Sequence, residues 1–156
     1  MAEEKEETKE NPVFRMQKMY TKDLSFENPN APAVYITPQK LEPNVEINLK
    51  LNNNKIDDDH WEVTVQITAK ISTKDDKKVM FIIEIEHAGV FLLKNIPEEH
   101  FKMILGVDCP TLLFPFTRQI VSQVSTDGGF APFLMEPVNF MALFQNTKKK
   151  KEQEEN

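Results

Sequence analysis

The sequence has little of what most enzymes, secreted proteins and nucleic-acid-binding proteins need. Of its 156 residues only one is cysteine, Cys109, so an internal disulfide is excluded and a reducing compartment, the cytoplasm, is expected. The four glycines match neither glycine-rich pattern that binds nucleotide phosphates, which argues against a nucleotide-driven mechanism. The net charge of −6 and the lack of a basic stripe argue against nucleic acid as a partner.

Long apolar runs are also missing. No segment approaches the roughly 20 apolar residues that cross a bilayer, and the first ten residues are acidic, so neither direct membrane insertion nor a signal peptide is expected. Apolar residues nevertheless make up 40% of the chain and include 11 Phe. This predicts one folded domain over residues 11–147. A disordered acidic tail is expected at 1–10, and a frayed helix end or disordered charged tail at 148–156.

The first half of the chain has the two-residue periodicity of β-strands. Three runs follow it: residues 45–52, 61–72 and 79–91. A fourth predicted strand, residues 13–26, changes phase between Met16 and Met19, which indicates a bulge or twist. Because the connections between the later runs are short and polar, those strands are expected to be antiparallel neighbours. The proline-rich segment 27–43 is expected to be a long irregular connection.

The second half changes to helical periodicity. Pro97 and the acids after it predict a short helix that ends near Gly106. A main helix is expected from residues 111–112, because Pro115 is tolerated only in a first turn. Its predicted apolar stripe is Leu113, Phe116, Ile120 and Val124. Asn139 is placed to cap a final helix. The predicted fold class is α+β, a four-stranded antiparallel sheet with two main helices on one face.

Strand 79–91 carries more apolar residues than one buried face needs. Its even-numbered positions should face solvent, yet Met80 and Ile82 share that face with Glu84 and Glu86. One sheet face and one helix cannot also cover the aromatic residues of the C-terminal half, and each large apolar side chain left in water forgoes roughly 1.5–3 kcal/mol. Contiguous exposed apolar surface usually marks a binding site. We therefore expect an oligomer with an apolar groove.

No pattern of side chains favours catalysis or metal binding. The cluster at residues 57–60 contains three aspartates and a histidine but lies in a polar turn, where acids are common. His87 falls on the opposite strand face from Glu84 and Glu86, so these three are not placed for proton transfer. Cys109 has no base beside it and is interpreted as a small buried residue. An enzyme, a metal site and a cofactor are therefore not expected.

Five segments, in order along the chain, resemble the signature of the SecB family of bacterial protein-export chaperones. The first is YTKDLSFENPNAP (20–32). The others are Val90-Phe91, Gly106 with Cys109-Pro110, LFPFTR (113–118) and PVNFMALF (137–144). The resemblance extends from about Arg15 to Phe144, which is nearly everything except the two ends.

The resemblance implies a fold, an assembly and a function. SecB-like chains form a four-stranded antiparallel sheet with two helices and assemble as a homotetramer, a dimer of dimers. They are ATP-independent holdases that keep unfolded preproteins translocation-competent and deliver them to the SecA ATPase. A SecA-docking face is implied at Asp23, Glu27, Ile82 and Glu84. An oligomer interface is implied at Ile83, Ile85 and His87 in the sheet, and placed at Phe116, Ile120 and Val124 in the main helix.

An apolar client groove is also implied, between the sheet, the proline-rich connection and the last helix. Its expected residues are Tyr35, Ile36, Leu41, Phe81, Phe130, Phe133, Leu134 and Phe144. Leu41 departs from the family, which often has tryptophan at this place. A groove that can repack suits clients without a fixed sequence. The alternative is an enzyme or carrier, in which the aromatic residues line an enclosed pocket for a small apolar molecule.

Overall fold

The computed structural model describes residues 10–36, 43–75 and 77–154. Four strands form one antiparallel sheet in the order β1-β4-β3-β2, so β1 and β2 are its edges. The strands are β1 (Val13–Glu27), β2 (Asn44–Lys55), β3 (His60–Ser72) and β4 (Val79–Lys94). The helices are α1 (Ala33–Ile36), α2 (Phe101–Met103), α3 (Cys109–Asp127) and α4 (Phe140–Glu154). The predicted α+β fold with four antiparallel strands is confirmed.

The sheet order explains the long proline-rich connection. Although β1 and β2 follow each other in the chain, they lie at opposite edges of the sheet. The chain between them must cross the whole sheet, whereas β2, β3 and β4 pair in sequence and need only short turns. Residues 37–42 of this connection, including the predicted client residue Leu41, lie outside the described residues, as do residues 1–9.

Strand β1 is irregular at two places. Its register on β4 shifts between Met16 and Lys18 and again between Thr21 and Asp23. The first shift lies where the sequence predicted a bulge, so that prediction is confirmed. Because an extra residue reverses the alternation of side chains, Met16 and Met19 both pack toward the core although they are three positions apart.

The core lies between one face of the sheet and α3, which packs over β3 and β4. On β3 the buried residues facing the helix are Val63, Val65, Ile67, Ala69 and Ile71. On β4 they are Phe81, Ile83, Ile85, His87, Phe91 and Leu93. This period of two on each strand is what the sequence predicted. Since α3 covers the two central strands, the two edge strands are left less protected.

The buried face of α3 differs from the predicted stripe. Leu113 is buried as expected, but the next turns bury Thr117, Val121 and Ser125, while Phe116 is 43% exposed on the other side. The small polar residues are accepted because their hydroxyls have partners. Thr117 Oγ1 lies 2.7 Å from His87 Nδ1 and donates to the Leu113 carbonyl, and Ser125 Oγ accepts the amide of Phe133.

The predicted break at Gly106 and the predicted helix start at residues 111–112 are both wrong. The chain is helical without interruption from Glu98 to Asp127, through a 3₁₀ turn, α2, a π-helical segment (Ile104–Asp108) and α3. In the π segment the amide of Cys109 reaches back to the carbonyl of Ile104.

Pro110 lies next to this wider turn. It has no amide N–H to donate to the carbonyl of Gly106, four residues before it and inside the π segment. Pro115 also lies within α3, but in its regular α-helical part. The hydroxyl of Thr111 donates to the Val107 carbonyl at 2.5 Å, which supplies a partner for one of the carbonyls in this region. Sequence reasoning treated proline as a helix start, whereas the structure accommodates it inside the helix with a change of helical pitch.

The final helix begins as predicted. The side-chain oxygen of Asn139 accepts the amide of Ala142 at 3.0 Å, which caps α4. Phe140, at the first position, is buried edge-to-face against Phe114 with ring centroids 5.7 Å apart. The helix continues to Glu154, so the lysines at 148–151 are helical.

Candidate functional site

The helix side of the edge strand β2 is apolar and uncovered. Val45, Ile47 and Leu51 are 42%, 47% and 37% exposed, although they alternate as regularly as the buried residues of β3. Their cross-strand partners Ile71, Ala69 and Val65 are buried. The difference arises because α3 lies over β3 and β4 and does not extend across β2.

The segment between α3 and α4 forms the opposite wall of this opening. Met135 is buried in the core and anchors the segment, and Leu134 beside it is 67% exposed. The resulting cavity has a volume of about 520 Å³, with Ile67 and Phe114 in its lining. We call it the β2 groove, and its walls are Val45, Ile47, Leu49, Phe133, Leu134 and Val138. Leu134 and Phe133 were predicted to bind clients, and the structure places both here.

The crossover connection is tied to the end of α3. The Tyr35 hydroxyl donates to the Gly128 carbonyl at 2.5 Å, and the Asn28 side-chain amide donates to the Tyr35 oxygen. Asn30 donates to the Val79 carbonyl at 2.7 Å, which fixes the connection to the start of β4. Gly128 also contacts Phe26 closely, because a Cβ at that position would lie 2.2 Å from the ring.

Four of the predicted client residues form one aromatic cluster. Tyr35 packs on Phe130 with centroids 5.4 Å apart, and Phe130 packs on Phe81 at 4.7 Å. Phe133 meets Phe81 edge-on at 6.3 Å. Phe81 is buried, so it supports the cluster from the core and has almost no surface for a client. Tyr35 is about half exposed, and the neighbouring Ile36 is more exposed still.

Phe144, the last of the predicted client residues, lies elsewhere. It lines a separate opening between α2 and α4 that shares no residue with the β2 groove. The single groove implied by the resemblance is therefore divided into two openings and an aromatic cluster in this structure.

The predicted docking residues lie together on the outer face, the sheet face opposite α3. Glu27 is the cross-strand partner of Ile82, and Ser25 is the partner of Glu84. Asp23 stands opposite Glu86 one step along the same face. The bulge at Thr21/Asp23 is what brings Asp23 to this side. Three exposed carboxylates on β1 and β4 thus lie near one half-buried isoleucine, whose cross-strand partner on β3 is Lys70.

A polar bridge stands beside these acids on the outer face. The Tyr20 hydroxyl donates to Glu62, whose other oxygen lies 3.1 Å from the Lys22 ammonium. Tyr20 is on β1 and Glu62 on β3, and they meet above the small, buried Ala88 of β4. Burial and the nearby Glu62 carboxylate raise the pKa of Tyr20 to about 12, so the phenol stays protonated. This bridge was not predicted, because it joins residues that are 42 positions apart.

The predicted interface residues fall into two groups. Ile83, Ile85 and His87 are at most 2% exposed within the single chain, beneath α3. This corrects the expectation that they contact another subunit, because they have no surface left for one. Phe116 is 43% exposed, with the equally exposed Leu112 one turn before it. Ile120 and Val124 are half-buried and pack against the core.

The residue types associated with catalysis have structural roles. Cys109 is fully buried, and burial raises the pKa of its thiol, so the reactive thiolate is disfavoured. Asp57 accepts hydrogen bonds from the amides of Asp59 and His60, and its carboxylate lies 2.8 Å from His60 Nδ1. These bonds stabilise the β2–β3 turn, and His60 holds the pKa of Asp57 below its usual range.

Sequence reasoning missed the open strip of β2. The regular alternation of residues 45–52 predicted a strand and did not show that Val45, Ile47 and Leu51 would stay exposed. The available signal was the surplus of apolar residues over what one helix can cover, but that surplus did not say which strand would stay open.

Comparisons with known proteins place these features in a family context. The family model described as Preprotein translocase subunit SecB matches residues 7–151. The chain is 65% identical over 154 residues to the protein-export protein SecB of Desulfotalea psychrophila, covering 99% of this chain and 98% of that protein. It is 43% identical over 142 residues to the SecB of Magnetococcus marinus, covering 91% and 88%.

A solved structure has the same fold. The SecB-like chaperone of Mycobacterium tuberculosis, solved in complex with a peptide from an antitoxin, aligns with a TM-score of 0.66 at 12% identity. The alignment covers 80% of this chain and 90% of that one. Within the part of the chain that the structure describes, no helix combines the length and the apolar character needed to cross a membrane.

Proposed function

The chain belongs to the SecB family of protein-export chaperones, and we propose that it is an ATP-independent holdase for unfolded preproteins. The proteins of this family are chaperones and not enzymes. The chain binds preproteins in the β2 groove, keeps them translocation-competent and passes them to the SecA ATPase in the cytoplasm. The Mycobacterium relative with the same fold was solved with a bound peptide, which is consistent with a peptide-binding role.

The observation that carries this proposal is the uncovered apolar strip of β2 beside Leu134. An extended client segment laid in the groove covers these side chains, and each large one gains up to roughly 1.5–3 kcal/mol when fully buried. β2 is also an edge strand with unpaired backbone groups, which an extended chain can pair with. Neither contribution depends on a particular client sequence.

The alternative of an enclosed small-molecule pocket is disfavoured by the same geometry. Ile47 and Leu134, on opposite walls, are 47% and 67% exposed, so the groove is open to solvent along its length. An open groove admits a chain that enters at one end and leaves at the other, whereas small-molecule sites enclose most of their ligand. Several grooves in one assembly would hold a long client tightly even if each one binds weakly.

The acids of the outer face are our proposed docking site for SecA. Asp23, Glu27 and Glu84 lie around Ile82 on a surface that α3 and the β2 groove do not use. Carboxylates around one apolar anchor suit a small basic segment of a partner, because the charges guide its approach while the anchor contributes affinity. A client in the β2 groove and a partner on the outer face can therefore be bound together.

The homotetramer is supported by surfaces that one chain leaves open. Leu112 and Phe116 of α3 are both 43% exposed, and among the described residues no strand pairs with the outer side of the 15-residue edge strand β1. Long open edges invite pairing with another chain. We propose that β1 edges join two chains into a dimer and that the outer sides of α3, with Phe116 and part of Ile120 and Val124, join two dimers.

The proposal is tested by dilution of a denatured slow-folding preprotein into buffer without nucleotide, with light scattering as the readout. We expect the protein to suppress aggregation and the suppression to saturate near one tetramer per client chain. Leu134→Ser should weaken it, whereas Ile56→Ser, which changes an exposed apolar residue in the β2–β3 turn, should not. Absence of suppression by folded wild-type protein at several-fold excess would refute the holdase function.

A further inference from the structure

Lys22 is a cation that lies beside the acids of the proposed docking site. It is the extra residue of the second bulge in β1, between Thr21 and Asp23. Asp23 follows it in the chain, and Glu86 is the cross-strand partner of Asp23. An ammonium group paired with these acids would neutralise charges that attract a basic partner. The direction in which the Lys22 side chain points therefore affects how acidic the docking site is.

The Lys22 side chain is bound by Glu62 of β3. The Lys22 Nζ lies 3.1 Å from Glu62 Oε1, and the other carboxylate oxygen of Glu62 accepts a hydrogen bond from the Tyr20 hydroxyl. Glu62 pairs with Val90 near the end of β4, whereas Ile82 lies near the start of that strand. The bridge therefore draws the ammonium group along the outer face, away from the apolar anchor of the docking site.

Glu62 is held in place before it binds the lysine. Its side chain is 16% exposed, whereas that of Lys22 is 39% exposed. Hydrogen bonds from Tyr20 and Lys22 keep the pKa of Glu62 below its usual range, so the carboxylate is ionised at neutral pH. A carboxylate that is already oriented by Tyr20 binds an ammonium group at a smaller entropic cost than a free surface side chain does.

Building on the proposed docking of SecA, we propose that Glu62 and Tyr20 are positioning residues for that site. Glu62 holds the Lys22 ammonium group away from Asp23 and Glu86, and Tyr20 orients Glu62. The acids of the outer face thus stay available to a basic segment of SecA. Without the Glu62 carboxylate, Lys22 pairs with these acids and competes with the partner for them.

The test compares two double variants that have the same formal charge as the wild-type protein. Glu62→Gln keeps an oxygen for the Tyr20 hydroxyl but removes the charge that binds Lys22. It is combined either with Lys22→Gln or with Lys50→Gln, which changes an exposed lysine of the edge strand β2. Surface plasmon resonance with immobilised SecA measures the affinity at low and at physiological salt, and circular dichroism establishes that each variant is folded.

We expect Glu62→Gln alone to weaken binding of SecA about two- to fourfold at low salt. Adding Lys22→Gln should bring the affinity back to the wild-type value or above it, whereas the variant with Lys50→Gln should stay clearly weaker. Higher salt should reduce the effect of Glu62→Gln, because screening weakens the attraction between the freed lysine and the acids. Equal affinities of the two double variants would overturn the proposal, since overall charge would then be sufficient to explain them.

Tyr20→Phe tests the orientation of Glu62 without any change of charge. It should weaken binding in the same direction as Glu62→Gln but by less, because Glu62 can still reach Lys22. Combined with Lys22→Gln, it should cause no further loss. A loss of the same size with and without Lys22 would overturn the role of Tyr20, because it would show that the hydroxyl does not act through the lysine.

Glu84→Gln separates this inference from the docking site on which it depends. If wild-type protein does not bind SecA, the proposed docking site fails and this inference fails with it. If Glu84→Gln weakens binding but the two double variants are equal, the docking site stands and only the role of Glu62 is overturned.

Discussion

The hydroxyl of Tyr35 donates a hydrogen bond to the carbonyl oxygen of Gly128, which joins the short helix α1 to the C-terminal end of α3. The Asn28 side chain supports it by donating to the Tyr35 oxygen. Its own side-chain oxygen, however, is buried without a partner among the described residues. An unsatisfied buried acceptor costs free energy, so this atom offsets part of the stabilisation that the hydrogen bonds of the connection provide.

Tyr35→Phe should loosen this connection while keeping the ring on Phe130. We expect faster amide hydrogen exchange over residues 28–36 and a loss of at most about 0.5–1.5 kcal/mol in unfolding free energy, because one partly exposed hydrogen bond is removed. Tyr20→Phe is the matched control. It removes a tyrosine hydrogen bond to Glu62 on the outer face and should leave exchange in this segment unchanged. Unchanged exchange in Tyr35→Phe would contradict the account.

Gly128→Ala should destabilise the protein by about 1–3 kcal/mol, because the new methyl group would lie 2.2 Å from Phe26 and displace a ring that stacks on Phe81. The backbone at Gly128 has a negative φ, so the effect is steric. Gly106→Ala is the comparison. There the methyl group meets only the edge of Phe144 at 3.0 Å, and alanine favours a helix over glycine. In urea unfolding, the free energy of unfolding of Gly128→Ala should be clearly lower than that of Gly106→Ala. The reverse order would contradict the close packing of Phe26 on Gly128.

His87 predicts a pH dependence of stability. It is buried with Nδ1 at 2.7 Å from Thr117 Oγ1, and burial lowers the pKa of the imidazole below its usual value. The unfolded chain therefore takes up a proton at a higher pH than the folded chain. This part of the stability is complete above about pH 6.5 and declines as the pH falls below it, by at most about 1.4 kcal/mol per pH unit.

The measurement is urea unfolding between pH 7.5 and 5.5. His87→Gln should flatten the decline even if it lowers stability throughout, whereas His60→Gln, at the partly exposed start of β3, should keep it. A decline of the same slope in His87→Gln would show that another group causes it.

Glu84→Gln should weaken binding of SecA about three- to tenfold at low salt, with most of the change in the association rate. Glu46→Gln removes the same charge from the same sheet face, but from the edge strand β2, where Glu46 pairs with Lys70 and lies two strands from Ile82, and should change the affinity less than about twofold. Surface plasmon resonance with immobilised SecA measures the affinity and the association rate of both variants. Equal effects would mean that only the overall charge of the outer face matters.

Local patterns were sufficient to predict the four strands but not their order in the sheet. Alternation in β3, the phase change in β1 and the cap at Asn139 are decided by neighbours in the sequence, and each was found where it was expected. The buried face of α3 could not be predicted in the same way. Phe116 is more hydrophobic than Thr117, but Thr117 is the residue of α3 that contacts His87 on the sheet beneath it. That choice depends on a partner 30 positions away.

The sequence predicted the type of site, an apolar groove, but only some of the residues that line it. A surplus of apolar side chains indicated a groove, and the resemblance named Phe133, Leu134 and Phe144 as parts of it. Which apolar residues stay exposed depends on how far α3 extends over the sheet, and this is a property of tertiary packing. For that reason Ile47 was not named as a groove residue, and Phe81 was expected to contact clients although it lies in the core.

The most direct test of the account is a methyl NMR titration of the protein, labelled at its Ile, Leu and Val methyl groups, with an unfolded preprotein in the absence of nucleotide. Ile47 and Leu134 report on the β2 groove, and Ile82 on the outer face serves as an internal control. The account predicts shifts or broadening at Ile47 and Leu134 while Ile82 stays unchanged. Client binding that perturbs Ile82 and leaves both groove methyls unaffected would contradict it.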